Sequence, residues 1–332
     1  MPDNRLDIIA IGNAIVDVIA STDDSFLEAE KLVKGSMRLI DAEEAEQLYG
    51  RMPPGLEASG GSAANTVAGM AALGLRGAFV GQVADDQLGA VFRHDINAIG
   101  VEFDTRPLRD GMPTARSLIL VTPDAQRTMN TFLGASQYLP AGALDERQIE
   151  DAATLYLEGY LWDPAEPRAA MEKAIAVARR AGRQVAFTLS DSFCVDRHRE
   201  GFRKLIDEGS IDILFANEHE IQSLTEQADV EAAIAAVAPK LPLLVVTRSE
   251  KGAIAIDRGQ RAEVPAEPVA KVVDTTGAGD QFAAGFLAGR ALGRPLERCL
   301  RMGAIAAAEV ISHYGPRPET DVLALIEQKL GG

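Results

Sequence analysis

Residues 274–286 read Asp-Thr-Thr-Gly-Ala-Gly-Asp-Gln-Phe-Ala-Ala-Gly-Phe. Gly277, Ala278 and Gly279 have no bulky side chains, so their amide N–H groups can converge on one point. A helical pattern starts directly after them and runs to about Leu292, adding the positive end of a helix dipole. Together these form an anion hole for charge that develops on a transferring phosphoryl group. Asp280 stands at the helix start. A carboxylate there can take the proton of an attacking alcohol, a contribution of roughly 10²–10⁴ in rate. The plainer alternative is a common glycine turn, followed by an acidic residue that only favours the helix dipole. The string is not a Walker A motif, because no Gly-x-x-x-x-Gly-Lys-Ser/Thr occurs in the chain. It is not a dinucleotide fingerprint either: it lies near the C-terminus and lacks the spacing of the third glycine.

Upstream of this loop the chain alternates regularly. Apolar strand-like runs at 154–157, 185–189, 211–216 and 243–247 are separated by helical patterns at 166–181, 196–208 and 230–240. Residues 253–256 make a further strand, and 296–312 a helix beyond the loop. Nearer the N-terminus, 6–11 reads as a buried strand and 60–74 as a glycine turn leading into a helix. A strand at 78–83 and a helix at 88–99 follow. The runs 117–121 and 128–133 flank Pro123-Asp124 and predict a hairpin. Strands alternating with helices predict an α/β fold with a mainly parallel sheet covered on both faces. The segments at about 14–42 and 101–135 break the rhythm. They predict a small β-rich lid on a single domain spanning 1–332.

The chain has 332 residues and is 47% hydrophobic, enough for a sizeable core. With Lys plus Arg at 33 and Asp plus Glu at 49, the net charge is −16. An acidic surface argues against nucleic-acid and membrane partners, so any anionic ligand needs locally concentrated positive potential. Two distant cysteines, Cys194 and Cys299, suit a reducing cytoplasm. Gly12, Asn13 and Asp17 interrupt the early apolar run, which argues against a signal peptide. No apolar run reaches the roughly 18 residues a membrane span requires.

The 274–286 string resembles the C-terminal signature of the ribokinase (PfkB) carbohydrate kinases. Ser59-Gly60-Gly61-Ser62-Ala63-Ala64-Asn65, with Gly81-x-x-x-x-Asp86-x-x-Gly89, resembles the N-terminal one. The likeness extends from about Asp7 to Gly315. It implies a ribokinase-like three-layer sandwich with a lid, and ATP-dependent phosphorylation of a sugar hydroxyl. It also implies Mg²⁺, a monovalent cation such as K⁺ near Asp274 and Thr276, and either a monomer or a lid-mediated homodimer.

Other positions acquire expectations from the same likeness. Asn217-Glu218-His219-Glu220 resembles the family's Asn-x-x-Glu element, which implies that Glu220 helps hold Mg²⁺ through water. Asn217 and Glu220 also have the spacing of a capping box, which needs no metal. Thr247 and Gly252 flank a loop that in the family lines the nucleotide, and Gly277, Gly279 and Thr276 complete that set. At the acceptor end, a carboxylate at a strand tip such as Asp17 can hold a vicinal diol. Gly60 and Gly61 permit close backbone approach, and Asn65 offers both donor and acceptor. The resemblance assigns Asn13, Asp17, Gly60, Gly61 and Asn65 to the sugar.

Within the family the adenosine kinase branch is most similar, through Gly12-Asn13…Asp17, residues 188–193 and residues 211–218. This implies that Phe193 stacks on a purine, where ordinary core packing is the alternative. Met37, Met129 and Leu133 become apolar pocket walls from the lid. Arg127 becomes a lid residue that meets phosphate oxygens, and otherwise a surface arginine. Thr275-Thr276-Gly277 departs from the better-known adenosine kinases, which often carry Asn before the glycine. Ribose, a ketohexose or another nucleoside therefore stays open as acceptor, beside a non-catalytic nucleoside- or sugar-sensing module.

Overall fold

The first strand, β1 (Leu6–Ile11), is apolar at nearly every position because both of its faces are covered. In the computed structural model, which describes residues 6–331, Ile9 and Ile11 face one hydrophobic cluster and Ile8 and Ala10 the other. β1 lies inside a large sheet together with β5 (Gly77–Val80), β6 (Val101–Glu102), β9 (Ala152–Glu158), β10 (Gln184–Thr188), β11 (Ile213–Asn217), β12 (Leu243–Thr247), β13 (Ala253–Asp257) and β14 (Gln260–Val264). The order is β14-β13-β12-β11-β10-β9-β1-β5-β6. Pairing is parallel from β12 to β6, and β12, β13 and β14 end the sheet antiparallel. Leu244 and Val246 of β12 join the first cluster and Leu243 and Val245 the second, so the strand reads as an unbroken apolar run.

A second sheet, ordered β3-β8-β7-β2-β4, gathers β2 (Ile15–Ser21), β3 (Met37–Leu39), β4 (Leu56–Gly60), β7 (Ala115–Val121) and β8 (Arg127–Phe132). The described residues also form twelve α-helices, beside short 3₁₀ turns: α1 (Asp24–Ala29), α2 (Ala42–Tyr49), α3 (Ser62–Ala72), α4 (Gln87–Ala98), α5 (Glu146–Asp151), α6 (Ala165–Arg180), α7 (Ser192–Asp207), α8 (Glu218–Thr225), α9 (Val230–Val237), α10 (Ala278–Ala291), α11 (Leu296–Val310) and α12 (Val322–Leu330). Helices α5 to α9 cover one face of the large sheet, and α3, α4, α10 and α11 the other. This is the three-layer α/β sandwich that the alternation predicts. Val18, Ala20, Leu118 and Leu120 seat α1 and α2 against one face of the small sheet. Its opposite face carries Asp17, Ile19, Ser117 and Met129. The spacing of 2 along each strand sorts the two sets.

Sheet membership differs from expectation at two places. Val101–Glu102 pairs with β5 at the edge of the large sheet, and Leu56–Gly60 pairs with β2 at the edge of the small one. Strands this short are set by their neighbours rather than by their own pattern. Helix α7 starts at Ser192, ahead of the expected 196, because Asp191 accepts from the Cys194 N–H as an N-cap. The 230–240 helix stops at Val237 and tightens into a 3₁₀ turn over 238–240. Helices α1, α2, α5, α8 and α12 and strand β14 lie outside the predicted elements. Among the described residues no helix is long and apolar enough to cross a membrane.

The order of the large sheet reverses between β1 and β9, since the chain first builds outward to β5 and β6 and then restarts on the other side. Crevices outside the carboxyl ends of strands at such a reversal are where open α/β sheets bind ligands.

Candidate active site

The helices of this chain mostly begin with a side-chain cap. Asp23, Asp41, Asp86, Asp145, Asp191, Asn217, Asp229 and Asp321 each accept from an N–H of their helix's first turn. Helices α3 and α10 differ. Their caps are Gly61 and Gly277, with positive φ of 98° and 76°, and neither cap residue supplies a side-chain bond. The two helices lie so close that a Cβ on Gly69 of α3 would sit 2.2 Å from Gln281 Oε1 of α10.

Asp280 stands in the first turn of α10, half-buried. Ser62 Oγ donates to its Oδ1 at 2.6 Å and Asn65 Nδ2 to its Oδ2 at 3.3 Å. Burial pushes its carboxyl up to about 6, while these two bonds and the Arg127 charge pull the other way. A group that titrates there can hold or release a proton near neutral pH. The two loop glycines differ in surroundings. A Cβ on Gly277 would lie 2.6 Å from Pro316 Cα, whereas a Cβ on Gly279 would meet nothing within 4 Å. Gly277 is a packing and backbone requirement; Gly279 borders open space. Asp274, fully buried, ties the loop down by accepting from the Thr276 N–H and Oγ1 and from the Gly315 N–H.

At the β1/β9 reversal, Glu158 Oε1 accepts from the N–H and Nδ2 of Asn13, both at 2.7 Å. Glu158 Oε2 accepts from the Ala63 N–H at 2.8 Å. A carboxylate from β9 thus caps α3 from across the sheet, in place of a local Asp. Burial pushes Glu158 up to about 7, against the three bonds it accepts. Asp17, on β2, is 5% exposed, and burial also pushes it up to about 7. Gly60 and Gly61 are explained by close approach: added Cβ atoms would lie 2.0 Å from Asp17 Oδ2 and 2.1 Å from the Asn13 carbonyl oxygen. Asn65 Oδ1 is buried with no hydrogen-bond partner in the structure, a free acceptor beside Asp280.

Asn13, Asp17, Gly60, Gly61, Asn65, Gly277, Gly279 and Asp280 therefore converge on one place. Arg127 opens β8 and lines a cleft of about 240 Å³ with Gly35, Asp124, Gln126, Val272 and Thr275, facing the start of the glycine loop. Met37 and Met129 are paired neighbours on β3 and β8. Register places Met129 opposite Ile119 and Arg127 opposite Val121, on the sheet face that carries Asp17. Leu133 lies just past β8, half-buried.

The remaining positions lie further along the same carboxyl edge, at the ends of β10, β11 and β12. Phe193 is 70% exposed, which removes the core-packing alternative. Asn217 and Glu220 form the complete capping box. The Asn217 N–H and Nδ2 donate to Glu220 Oε2 and Oε1, and the Glu220 N–H donates back to Asn217 Oδ1. Burial pushes Glu220 up to about 7. Gly252 has φ of 88°, and a Cβ there would lie 2.0 Å from the Val264 carbonyl oxygen, so the β13–β14 hairpin alone requires glycine. Thr247 ends β12 opposite Asn217. Among the described residues no group of three or more His, Cys, Asp or Glu side chains stands in a metal-binding arrangement.

Several residues at the site were not singled out by sequence reasoning. Glu158 had a usable signal, since it is a carboxylate at the tip of an apolar strand, the position expected of Asp17, which instead lies inside β2 between β4 and β7. Ser62 lies inside the quoted Ser-Gly-Gly-Ser string. Arg317 had none; it occupies an irregular loop after α11.

An amide-lined helix start beside a titratable carboxylate, at the reversal of a parallel sheet, describes an enzyme that moves a phosphoryl group onto an alcohol. The comparisons agree: the chain belongs to the pfkB family of carbohydrate kinases, whose model matches residues 7–322. Two solved structures are very similar. Adenosine kinase from Sinorhizobium meliloti shares 49% identity, with a TM-score of 0.93 over 98% of this chain and 99% of its own. A probable sugar kinase from Rhizobium etli shares 48%, with a TM-score of 0.94 over the same shares. A 5-dehydro-2-deoxygluconokinase from Halalkalibacterium halodurans is 25% identical over 98% of this chain and 94% of its own. The enzyme class is thus common to these relatives, while their acceptors differ.

Proposed function

We propose that this kinase transfers the γ-phosphate of ATP to the 5′-hydroxyl of a nucleoside, adenosine first among them. The observation that carries the chemistry is the pairing at α10: an uncapped helix start with open space at Gly279, and Asp280 held by Ser62 and Asn65. Asp280 takes the proton of the acceptor hydroxyl, whose oxygen then bonds to the γ-phosphorus as the bond to the β-phosphate oxygen breaks. The 277–279 amides receive the charge on the moving phosphoryl group, with Arg127 closing from the small sheet. That sheet acts as a lid, so its closure excludes water and suppresses ATP hydrolysis.

Mg²⁺ bound with ATP supplies neutralisation of the β- and γ-phosphate charge. Glu220 fits a water-mediated role, because both of its oxygens already accept from Asn217.

Two observations support a nucleoside as acceptor. Phe193 offers an exposed aromatic face at the sheet's carboxyl edge. Asp280 and Asp274 also lie within electrostatic reach of Asp17, and Asp280 within reach of Glu158, which disfavours anionic acceptors and suits a neutral polyol. The likeness to the Sinorhizobium adenosine kinase points the same way. The alternative acceptor is a free sugar such as ribose or a ketohexose, favoured by Thr275-Thr276-Gly277 and by the sugar-kinase relatives. A coupled ADP-release assay over adenosine, guanosine, cytidine, ribose and fructose decides. Adenosine is expected to give the highest kcat/KM, and a higher value for free ribose or fructose would overturn the nucleoside assignment.

A further inference from the structure

The loop after α11 touches both halves of the site. The Gly315 N–H donates to Asp274 Oδ2 at 3.0 Å, and the Pro316 carbonyl accepts from Gln281 Nε2 at 3.0 Å. Pro316 fills the space that a Cβ on Gly277 would need. One residue on, Arg317 turns to the acceptor side. Its Nη2 donates to Ser59 Oγ at 2.6 Å and its Nη1 to Asp95 Oδ2 at 3.0 Å. Ser59 belongs to β4, immediately before Gly60, and pairs with Val16, the neighbour of Asp17. Arg317 Nε is buried with no partner in the structure, and the side chain is only 16% exposed. A guanidinium is costly to bury, and Asp95 compensates only one end of it.

A cation that acts on the acceptor carboxylate is therefore supplied by a loop that also clamps the phosphate-binding turn. We propose that Arg317 is a positioning residue for the acceptor: through Ser59 and the β4–β2 pairing it holds Asp17 in place for the acceptor's hydroxyls, and through Pro316 it couples that carboxylate to the Gly277 turn. This rests on the reading that Asp17 grips the acceptor.

The charges around Asp17 are Arg317, which favours its ionised form, and Asp280 and Asp274, which oppose it. Those around Arg317 are Asp95 and Asp17. Arg317→Met keeps the packing stem and removes the charge, whereas Arg317→Lys keeps the charge. Steady-state kinetics from pH 5 to 9 are measured with the best acceptor from the panel, so rejection of adenosine would sink the nucleoside assignment without touching this test. Arg317→Met is expected to raise acceptor KM by about tenfold or more at unchanged ATP KM, as loss of one charged contact implies. It should also move the acid limb of kcat/KM for the acceptor upward by about one pH unit. Arg317→Lys should leave the limb near its original place. Asp95→Asn frees the guanidinium of its counter-charge, so it should move the limb to lower pH. That shift of opposite sign keeps the test decisive even where Arg317→Met fails to fold. An acid limb that stays put in Arg317→Met, or in Asp95→Asn where Arg317→Met does not fold, with only the unfolding midpoint lowered, would overturn the inference and leave Arg317 a structural brace.

Discussion

The starts of α10 and α8 use the same physics for opposite ends. Both helices follow a strand tip or loop at the carboxyl edge of the large sheet, and both carry a carboxylate in the first turn. In α8 that carboxylate, Glu220, folds back on its own helix: with Asn217 it satisfies the orphan amides in a closed reciprocal box. In α10 the cap is Gly277, which brings no side chain, and Asp280 instead bonds to Ser62 and Asn65 of α3. No side chain caps the first turn of α10. A capped helix start is stable and inert; an uncapped one beside a carboxylate held from elsewhere can bind and react.

The largest expected effect breaks the reactive start. Asp280→Asn keeps the size of the side chain and an acceptor for Ser62, turns an amide toward Asn65, and cannot accept a proton. Turnover should fall by roughly 10²–10⁴ or more, with nucleoside binding by calorimetry retained. Undiminished turnover would remove Asp280 from the proton transfer.

The same residue gives a pH signature. With its carboxyl pushed up to about 6 in the unliganded protein, Asp280 should add a decline of about tenfold per pH unit to wild-type kcat/KM below that value. Stability of the unliganded protein runs in the other direction. A raised carboxyl favours the protonated folded state, so its contribution is fully present below its ordinary value, near 4. It is lost as pH rises through about 6. Urea titrations at pH 4.5, 5.5 and 6.5 should show a smaller decline in Asp280→Asn than in wild type. Equal slopes in the two proteins would mean that the carboxyl of Asp280 is not perturbed.

What could be read from the chain divides by sequence distance. The Gly-Ala-Gly-Asp string and the Asn217–Glu220 spacing are local, so the sequence alone could pose both the anion hole and the capping box, though not choose between box and metal. Unbroken apolar runs such as 243–247 identified doubly covered strands for the same reason. The short strands Leu56–Gly60 and Val101–Glu102 take their places from partners, so no periodicity marked them. Glu158 caps a helix whose Ala63 lies 95 residues away, and Ser62 reaches Asp280 across 218. Only the fold makes such pairs, and hydrogen-bonding types like Ser, Glu and Arg occur too widely to announce them.

The two glycines of the α10 turn sharpen the contrast between holding a helix start and using it. Gly277→Ala places a side chain at φ of 76° and against Pro316. It should destabilise by about 1–2 kcal/mol or more and lower the thermal midpoint. Gly279→Ala meets no protein atom and adds a helix-favouring residue, so stability should hold or rise by about 0.5–1 kcal/mol. Its methyl would nonetheless occupy the space assigned to the phosphoryl group, and kcat should drop by about 10²-fold, the scale for loss of one preorganised donor. A fully active Gly279→Ala would place the phosphate elsewhere.

The smallest effects lie at α8. Asn217→Ala removes the whole box, for a loss of about 0.5–2 kcal/mol read by urea unfolding. Glu220→Gln keeps the acceptor for one Asn217 donor and turns an amide toward the other, so about 1 kcal/mol should be lost. If Glu220 touches Mg²⁺ only through water, neither change should alter kcat at saturating Mg²⁺ by more than about tenfold, the lower range for an outer-shell partner. The Mg²⁺ concentration for half-maximal rate should rise in Glu220→Gln and stay near wild type in Asn217→Ala. Loss of turnover in Glu220→Gln that excess Mg²⁺ cannot restore would make α8 a reactive helix start as well, and the contrast with α10 would disappear.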